Sequence, residues 1–164
     1  MIKLYGLVFL IAGDVLLVRY LTEIKNKRIQ CLREMIGFLS GVTYGVTEWK
    51  RTLEKAVLLE QHCGTFPRLF QKHFSEWIQT IPLRDALCKS LEELPLPDEA
   101  KRVLSHYFMM LGRDIRKTTE DRYLHTKHQL EEVFQELQEE LPKSKKLIAV
   151  SVYAISAMAA VLLL

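Results

Sequence analysis

Apolar residues collect at the two ends of the chain and thin into a helical rhythm between them. From Leu4 to Val18 (LYGLVFLIAGDVLLV) only Asp14 is charged, and from Leu147 to Leu164 (LIAVSVYAISAMAAVLLL) nothing is. A helix needs about 20 such residues to cross the hydrocarbon core of a bilayer. The two runs predict transmembrane helices over 1–20 and 143–164, with 21–142 a polar domain between them. The first run is expected to be an uncleaved signal anchor, since no A-x-A cleavage site follows it, with a cleaved signal and an interfacial or packed helix as the alternatives.

The middle repeats its apolar positions at helical spacing. Ile24, Ile29, Leu32, Met35, Ile36 and Leu39 form one face from Tyr20 to about Gly45, continuing the first apolar run. Gly37, Gly41 and Gly45 fall at i, i+4 and i+8, a smooth stripe that lets another helix approach. Thr47 reads as the N-cap of a second helix from Glu48 to about Cys63, with Leu53, Ala56, Val57 and Leu59 inward and Gly64 as its stop. A third helix follows Thr65-Phe66-Pro67 and carries the aromatic stripe Phe70, Phe74 and Trp77 before Pro82 breaks it. A fourth spans Leu83 to Leu94, and a fifth runs from Asp98, read as its cap, to Gly112 or just beyond.

The sixth helix starts near Thr118 or Thr119 and shows a seam of Leu130, Val133, Phe134, Leu137 and Leu141. Pro142 is tolerated in a helix's first turn, so this helix can run on into the last apolar run. No stretch alternates branched and polar residues long enough for a strand. The expected fold is all-α, a six-helix cytosolic bundle between N-terminal and C-terminal transmembrane helices. Within it two stretches echo one another, Trp49-Lys50-Arg51-Thr52-Leu53-Glu54-Lys55-Ala56 and Pro82-Leu83-Arg84-Asp85-Ala86-Leu87.

Charge sets the orientation. Arg19, Lys25, Lys27 and Arg28 follow the first apolar run and Lys143, Lys145 and Lys146 precede the second, against a single Lys3 on the other side. The positive-inside rule puts the bundle in the cytosol and both termini on the opposite face. The chain is 49% hydrophobic with a net charge of +3, and cations beside membrane segments point to anionic lipid rather than nucleic acid. The acidic stretch Glu131 to Glu140 would itself repel phosphate. Cys31, Cys63 and Cys88 are widely spaced without a C-x-x-C, which suits reduced thiols. Asp14 is costly near mid-bilayer, by about 2.5 to 3.5 kcal/mol unless paired or protonated. It is expected either to make an intramembrane polar contact with the other helix or to reach water or Arg19.

Catalytic apparatus is not legible. The chain has no G-x-x-x-x-G-K-[ST], no G-x-S-x-G and no H-E-x-x-H. His125, His128 and Glu132 alone resemble a metal site by spacing, and histidines on a charged helical stretch are usually solvated. No catalytic, cofactor-binding or metal-ligating residue is expected.

The order of motifs carries more. An apolar start, Leu32-Arg33-Glu34-Met35 leading a long helix, a Leu-x-x-Ala turn from Leu53 to Ala56, and a second such turn near Leu83 to Leu87 come first. Tyr107-Phe108-Met109-Met110-Leu111-Gly112, a polar turn, a charged helix and a terminal apolar helix follow. This layout resembles stage III sporulation protein AB of endospore-forming bacteria over essentially the whole chain. Where members of that family carry a second Leu-Gly, a Ser-Asp and a Gln after the fifth helix, this chain has Ile115-Arg116, Thr118-Thr119 and Tyr123, the departures of a divergent member.

The family in turn resembles the cytosolic domain of the inner-membrane platform protein of type II secretion and type IV pilus machines. The resemblance implies a non-enzymatic component of the channel-like complex that links mother cell and forespore. It would sit in the mother cell membrane around the forespore and couple a secretion-type ATPase to other membrane components of the channel. Its partners would be those proteins and membrane lipids, not nucleic acid, with self-association left open. A membrane-anchored adaptor or sensor unrelated to sporulation is the alternative, and an enzyme assembled from scattered residues such as His125, His128 and Glu132 is a third reading. A partner surface is expected either on Arg113, Arg116 and Lys117, facing an acidic partner, or on Glu131, Glu132, Glu136, Glu139 and Glu140, facing a basic one.

Overall fold

A computed structural model describes residues 2–61, 64–111 and 116–163, with side chains from Gly13 to Ala154 apart from those at 116–118 and 144. The described residues form six helices and no strand: α1 (Ile2–Thr47), α2 (Leu53–Leu59), α3 (Thr65–Trp77), α4 (Leu83–Glu92), α5 (Asp98–Met110) and α6 (Arg116–Leu163). The all-α expectation therefore holds. The chain divides into two compact units, Arg28–Gln135, and Met1–Lys27 with Glu136–Leu164.

In the Arg28–Gln135 unit the core is built from one stripe of each helix. Leu32, Met35, Leu39 and Val42 of α1 sit three and four apart and are wholly buried, together with Phe38. Against them lie Val57 of α2, Phe70 and Phe74 of α3, Leu87 and Leu91 of α4, Leu104 and Phe108 of α5, and Leu130 of α6. Phe70 meets Phe38 edge-on at 5.7 Å and stacks with Phe74 at 6.2 Å and Phe108 at 6.0 Å, so its ring joins three helices. Such ring pairs add about 0.5 to 1.5 kcal/mol each beyond their buried area.

Two glycines of the expected stripe, Gly41 and Gly45, face the segment that follows α1. A methyl group at Gly45 would stand 3.3 Å from Ala56 Cβ, and one at Gly41 would collide with the Glu60 carboxylate, so α2 and the turn after it lie directly on α1.

Helix ends are completed by neighbours. Gly64 stands at the N-cap of α3 and offers no side chain, and the Glu34 carboxylate of α1 fills that place, accepting from Phe66 N–H at 3.0 Å. Gln71 of α3 donates through Nε2 to the carbonyls of Val57 and Glu60, both at 2.8 Å, closing the end of α2. Lys101 Nζ of α5 donates to the Glu92 carbonyl at the end of α4 at 2.9 Å.

Several expected boundaries move. Thr47 is not a cap: its hydroxyl donates back to the Thr43 carbonyl at 3.0 Å, which makes it the last residue of α1. The backbone then turns at Lys50, with φ at 49°, so that Arg51 N–H reaches the Gly45 carbonyl at 3.1 Å. The second helix is accordingly shorter than expected and is capped by Thr52, whose hydroxyl accepts from Lys55 N–H. Asp98 caps nothing, because Pro97 occupies the N-cap and Asp98 lies in the first turn of α5. The fourth helix stops at Glu92 rather than Leu94, where a tighter bond from Leu94 N–H to the Leu91 carbonyl ends it. Cys63 and Gly112, expected as helix ends, lie outside the described residues.

The second unit is described by its two segments. Val15, Leu16, Leu17 and Tyr20 of α1 and Leu147, Val150 and Tyr153 of α6 are exposed large apolar residues. Pro142 sits within α6, and the helix continues across it as expected. Among the described residues no helix is long and apolar enough to cross a membrane. The side chains at 4–12 and 155–164, which belong to the two expected spans, lie outside the described residues.

Replacing Phe70 with Ala should cost about 3 to 5 kcal/mol, as removal of a large buried ring does. Urea unfolding of the Phe70→Ala chain would show it as a lowered midpoint. Glu34→Ala should cost about 1 kcal/mol through the lost α3 cap in the same measurement.

Candidate functional site

The two echoing stretches meet. The residues after the left-handed turn at Lys50 and those opening α4 at Pro82 lie across from one another and, with the last turn of α5, enclose a groove of about 930 Å³. Its apolar lining includes Leu53, Leu87, Phe108 and Met109. Lys50, Arg51 and Arg84 supply its charge, and none of the residues that line it is acidic. Glu54 and Asp85 stand in the first turns of α2 and α4 without lining the groove.

Local structure positions each cation. Lys50 is exposed and is the one non-glycine residue with positive φ among the described residues. Arg51 lies over the Trp49 ring at 4.2 Å, and Trp49 meets Tyr44 edge-on at 5.2 Å. That aromatic pair is itself exposed, Trp49 by 54% and Tyr44 by 52%. Arg84 projects from the first turn of α4, where Leu83 is also exposed. A smaller cavity of about 350 Å³ shares His106 and Met109 with the groove and is lined by Cys88, Ser105 and Arg102.

The interior holds a polar pair, Thr43 of α1 and Tyr107 of α5. Thr43 donates its hydroxyl proton to the Leu39 carbonyl at 2.7 Å, which leaves its oxygen to accept from the Tyr107 hydroxyl at 2.8 Å. Burial pushes the Tyr107 phenol up to about 12, opposed by its bond to Thr43 and aided by Tyr123. Burial likewise pushes the Cys31 thiol up to about 12, reinforced by the Glu34 carboxylate and opposed by Lys101. A protonated, fully buried thiol is inert, so neither group offers a nucleophile or a base.

The residues singled out by sequence do not gather into a site. Arg113 lies outside the described residues, and Arg116 and Lys117 open α6 with side chains that are not described. Glu131, Glu132, Glu136, Glu139 and Glu140 are exposed along α6, with Glu131 3.7 Å from Lys127 and Glu132 3.4 Å from His128. His125 is exposed, and no three His, Cys, Asp or Glu residues could together hold a metal ion among the described residues. Asp14 is half-buried on α1 and has no polar partner among the described residues. The groove cations were not anticipated, although the repeat that carries them was visible in the sequence.

The family model for stage III sporulation protein AB matches residues 3–164. No curated protein and no solved structure matches the chain.

Both Cys31 and Tyr107 hold their protons in the fold past the point where the unfolded chain releases them, ordinarily 9.0 and 10.0. Their contribution to stability is complete below pH 9 and is lost as pH rises toward 12. Unfolding midpoints measured from pH 8 to 11 should fall, and the decline should flatten in a Cys31→Ala, Tyr107→Phe variant. In a Cys63→Ser background, iodoacetamide at pH 8 should alkylate Cys88, half-buried beside Ser105 at 3.2 Å, well before Cys31.

Proposed function

The chain belongs to the stage III sporulation protein AB family, which gives it a role in sporulation, and from that premise we propose that it is a non-enzymatic platform in the mother cell to forespore channel complex. The observation that carries this reading is the extent of the match, which takes in both apolar ends together with the bundle. A platform needs membrane anchors, a rigid domain and a surface for partners, and it needs no catalytic centre.

The anchors are the segments 1–20 and 143–164, which hold the apolar runs Leu4 to Val18 and Leu147 to Leu164. The cations at Arg19 to Arg28 and Lys143 to Lys146 hold the bundle on the cytosolic side of the mother cell membrane around the forespore. Two of the bundle's buried polar residues, Thr43 and Ser90, donate their hydroxyl protons to carbonyls one turn back on their own helices. Its cytosolic partner is a secretion-type ATPase, and its membrane partners are other components of the channel. Asp14 makes a polar contact inside the membrane with another helix of the assembly.

Affinity recovery of the tagged full-length protein from sporulating cells, solubilised in detergent, tests this. The ATPase and membrane components should come with it, and deletion of Leu147 to Leu164 should release the protein from the membrane fraction. Recovery with unrelated cytosolic proteins alone would assign it to an adaptor role instead. Asp14→Asn should lower recovery of the membrane components several-fold while leaving the unfolding midpoint of the bundle unchanged.

A further inference from the structure

We propose that the groove between α2, α4 and the end of α5 seats an amphipathic helix with an acidic edge, presented by a partner protein. This deepens the platform reading and rests on it for the presence of that partner in the complex.

Charge is the first argument. Lys50, Arg51 and Arg84 converge on one groove that no acidic residue lines, and none of the three has an ion pair among the described residues. Cations gathered on one groove whose lining holds no acidic residue attract an incoming carboxylate. Backbone strain is the second. Lys50 adopts a left-handed conformation in which glycine would be unstrained, and a lysine there keeps an ammonium at the groove edge at a conformational cost.

The lining decides the class of partner. Leu53, Leu87 and Phe108 make an apolar floor, and Met109 and Met110 add flexible side chains that adjust to an incoming surface. A phosphate backbone would match the cations and leave this floor uncovered, whereas a helix with an apolar face and flanking carboxylates satisfies both. Arg51, which lines the groove, is held over the Trp49 ring outside it, and an ordered arginine is among the contacts that dominate binding at protein interfaces.

The test places a benzophenone amino acid at Leu83 or Met110 of the full-length chain in sporulating cells, and maps the cross-linked peptide by mass spectrometry. The expected adduct is a partner segment with apolar residues at helical spacing and at least two Asp or Glu. Arg51→Glu with Arg84→Glu should lower its yield at least tenfold, and Glu→Lys changes in the mapped segment should restore it. Lys50→Gly should also lower the yield while the thermal midpoint stays level or rises, which separates lost binding from lost fold. Equal yield from the charge-reversed chain, a segment without carboxylates, or an adduct with lipid or a second copy would overturn the proposal. Channel components recovered undiminished with the charge-reversed chain would overturn the groove alone. A wild-type chain that recovers none of them, yet cross-links to a charge-swappable acidic helix, would overturn the platform reading instead.

Discussion

The ring of Phe70 is the contact on which the bundle turns. It touches Phe38 of α1, Phe74 one turn along α3, and Phe108 of α5, so helices far apart in the chain are fixed by one side chain. A short helix such as α2 or α4 is marginal alone in water, because nucleation is unfavourable and few bonds follow it. Packing supplies what propensity does not, with α4 lying against α3 and α5 and α2 against α3. The smooth backbone at Gly45 is part of the same solution, since a methyl group there would stand only 3.3 Å from Ala56 Cβ of α2.

Stability is distributed through the helix ends as well as the core. Glu34, Gln71 and Lys101 each reach from one helix to complete the terminus of another, so the caps are tertiary contacts. Losing one helix would leave unpaired backbone groups on its neighbour, and this couples α1 through α5 into one cooperative body. His73 adds a further tie, its Nδ1 standing 3.0 Å from the Glu93 carboxylate beyond the end of α4. Arg33 lies over the Phe134 ring at 5.3 Å and joins α1 to α6 in the same way.

Charge is unevenly placed on this body. Two buried titratable groups, Cys31 and Tyr107, are held neutral in the interior, while Lys50, Arg51 and Arg84, which have no ion pair among the described residues, stand around an apolar groove. The acidic face of α6 is solvated and in part paired along its own helix, which is the ordinary condition of a charged helical surface. Membership of the stage III sporulation protein AB family places this bundle and groove in a sporulation protein.

The sequence by itself determined that the chain is helical, where its apolar faces lie and to which family it belongs. Three-and-four spacing at Leu32, Met35 and Leu39 and the stripe of Phe70 and Phe74 are local patterns, and burial follows them. It also exposed the echo of Leu53 to Ala56 in Leu83 to Ala86 without revealing its use. The tertiary structure decided the rest. Thr47 looked like a cap because threonine favours caps, but only the fold shows its hydroxyl turned back to Thr43 and the chain leaving the helix through Lys50. Capping of α3 by Glu34 spans 32 positions of sequence, beyond the reach of any local rule. The groove needed the same long range: two turns remote in sequence each carry ordinary surface cations, and they become one charged site only because packing around Phe70 and Phe108 brings them face to face.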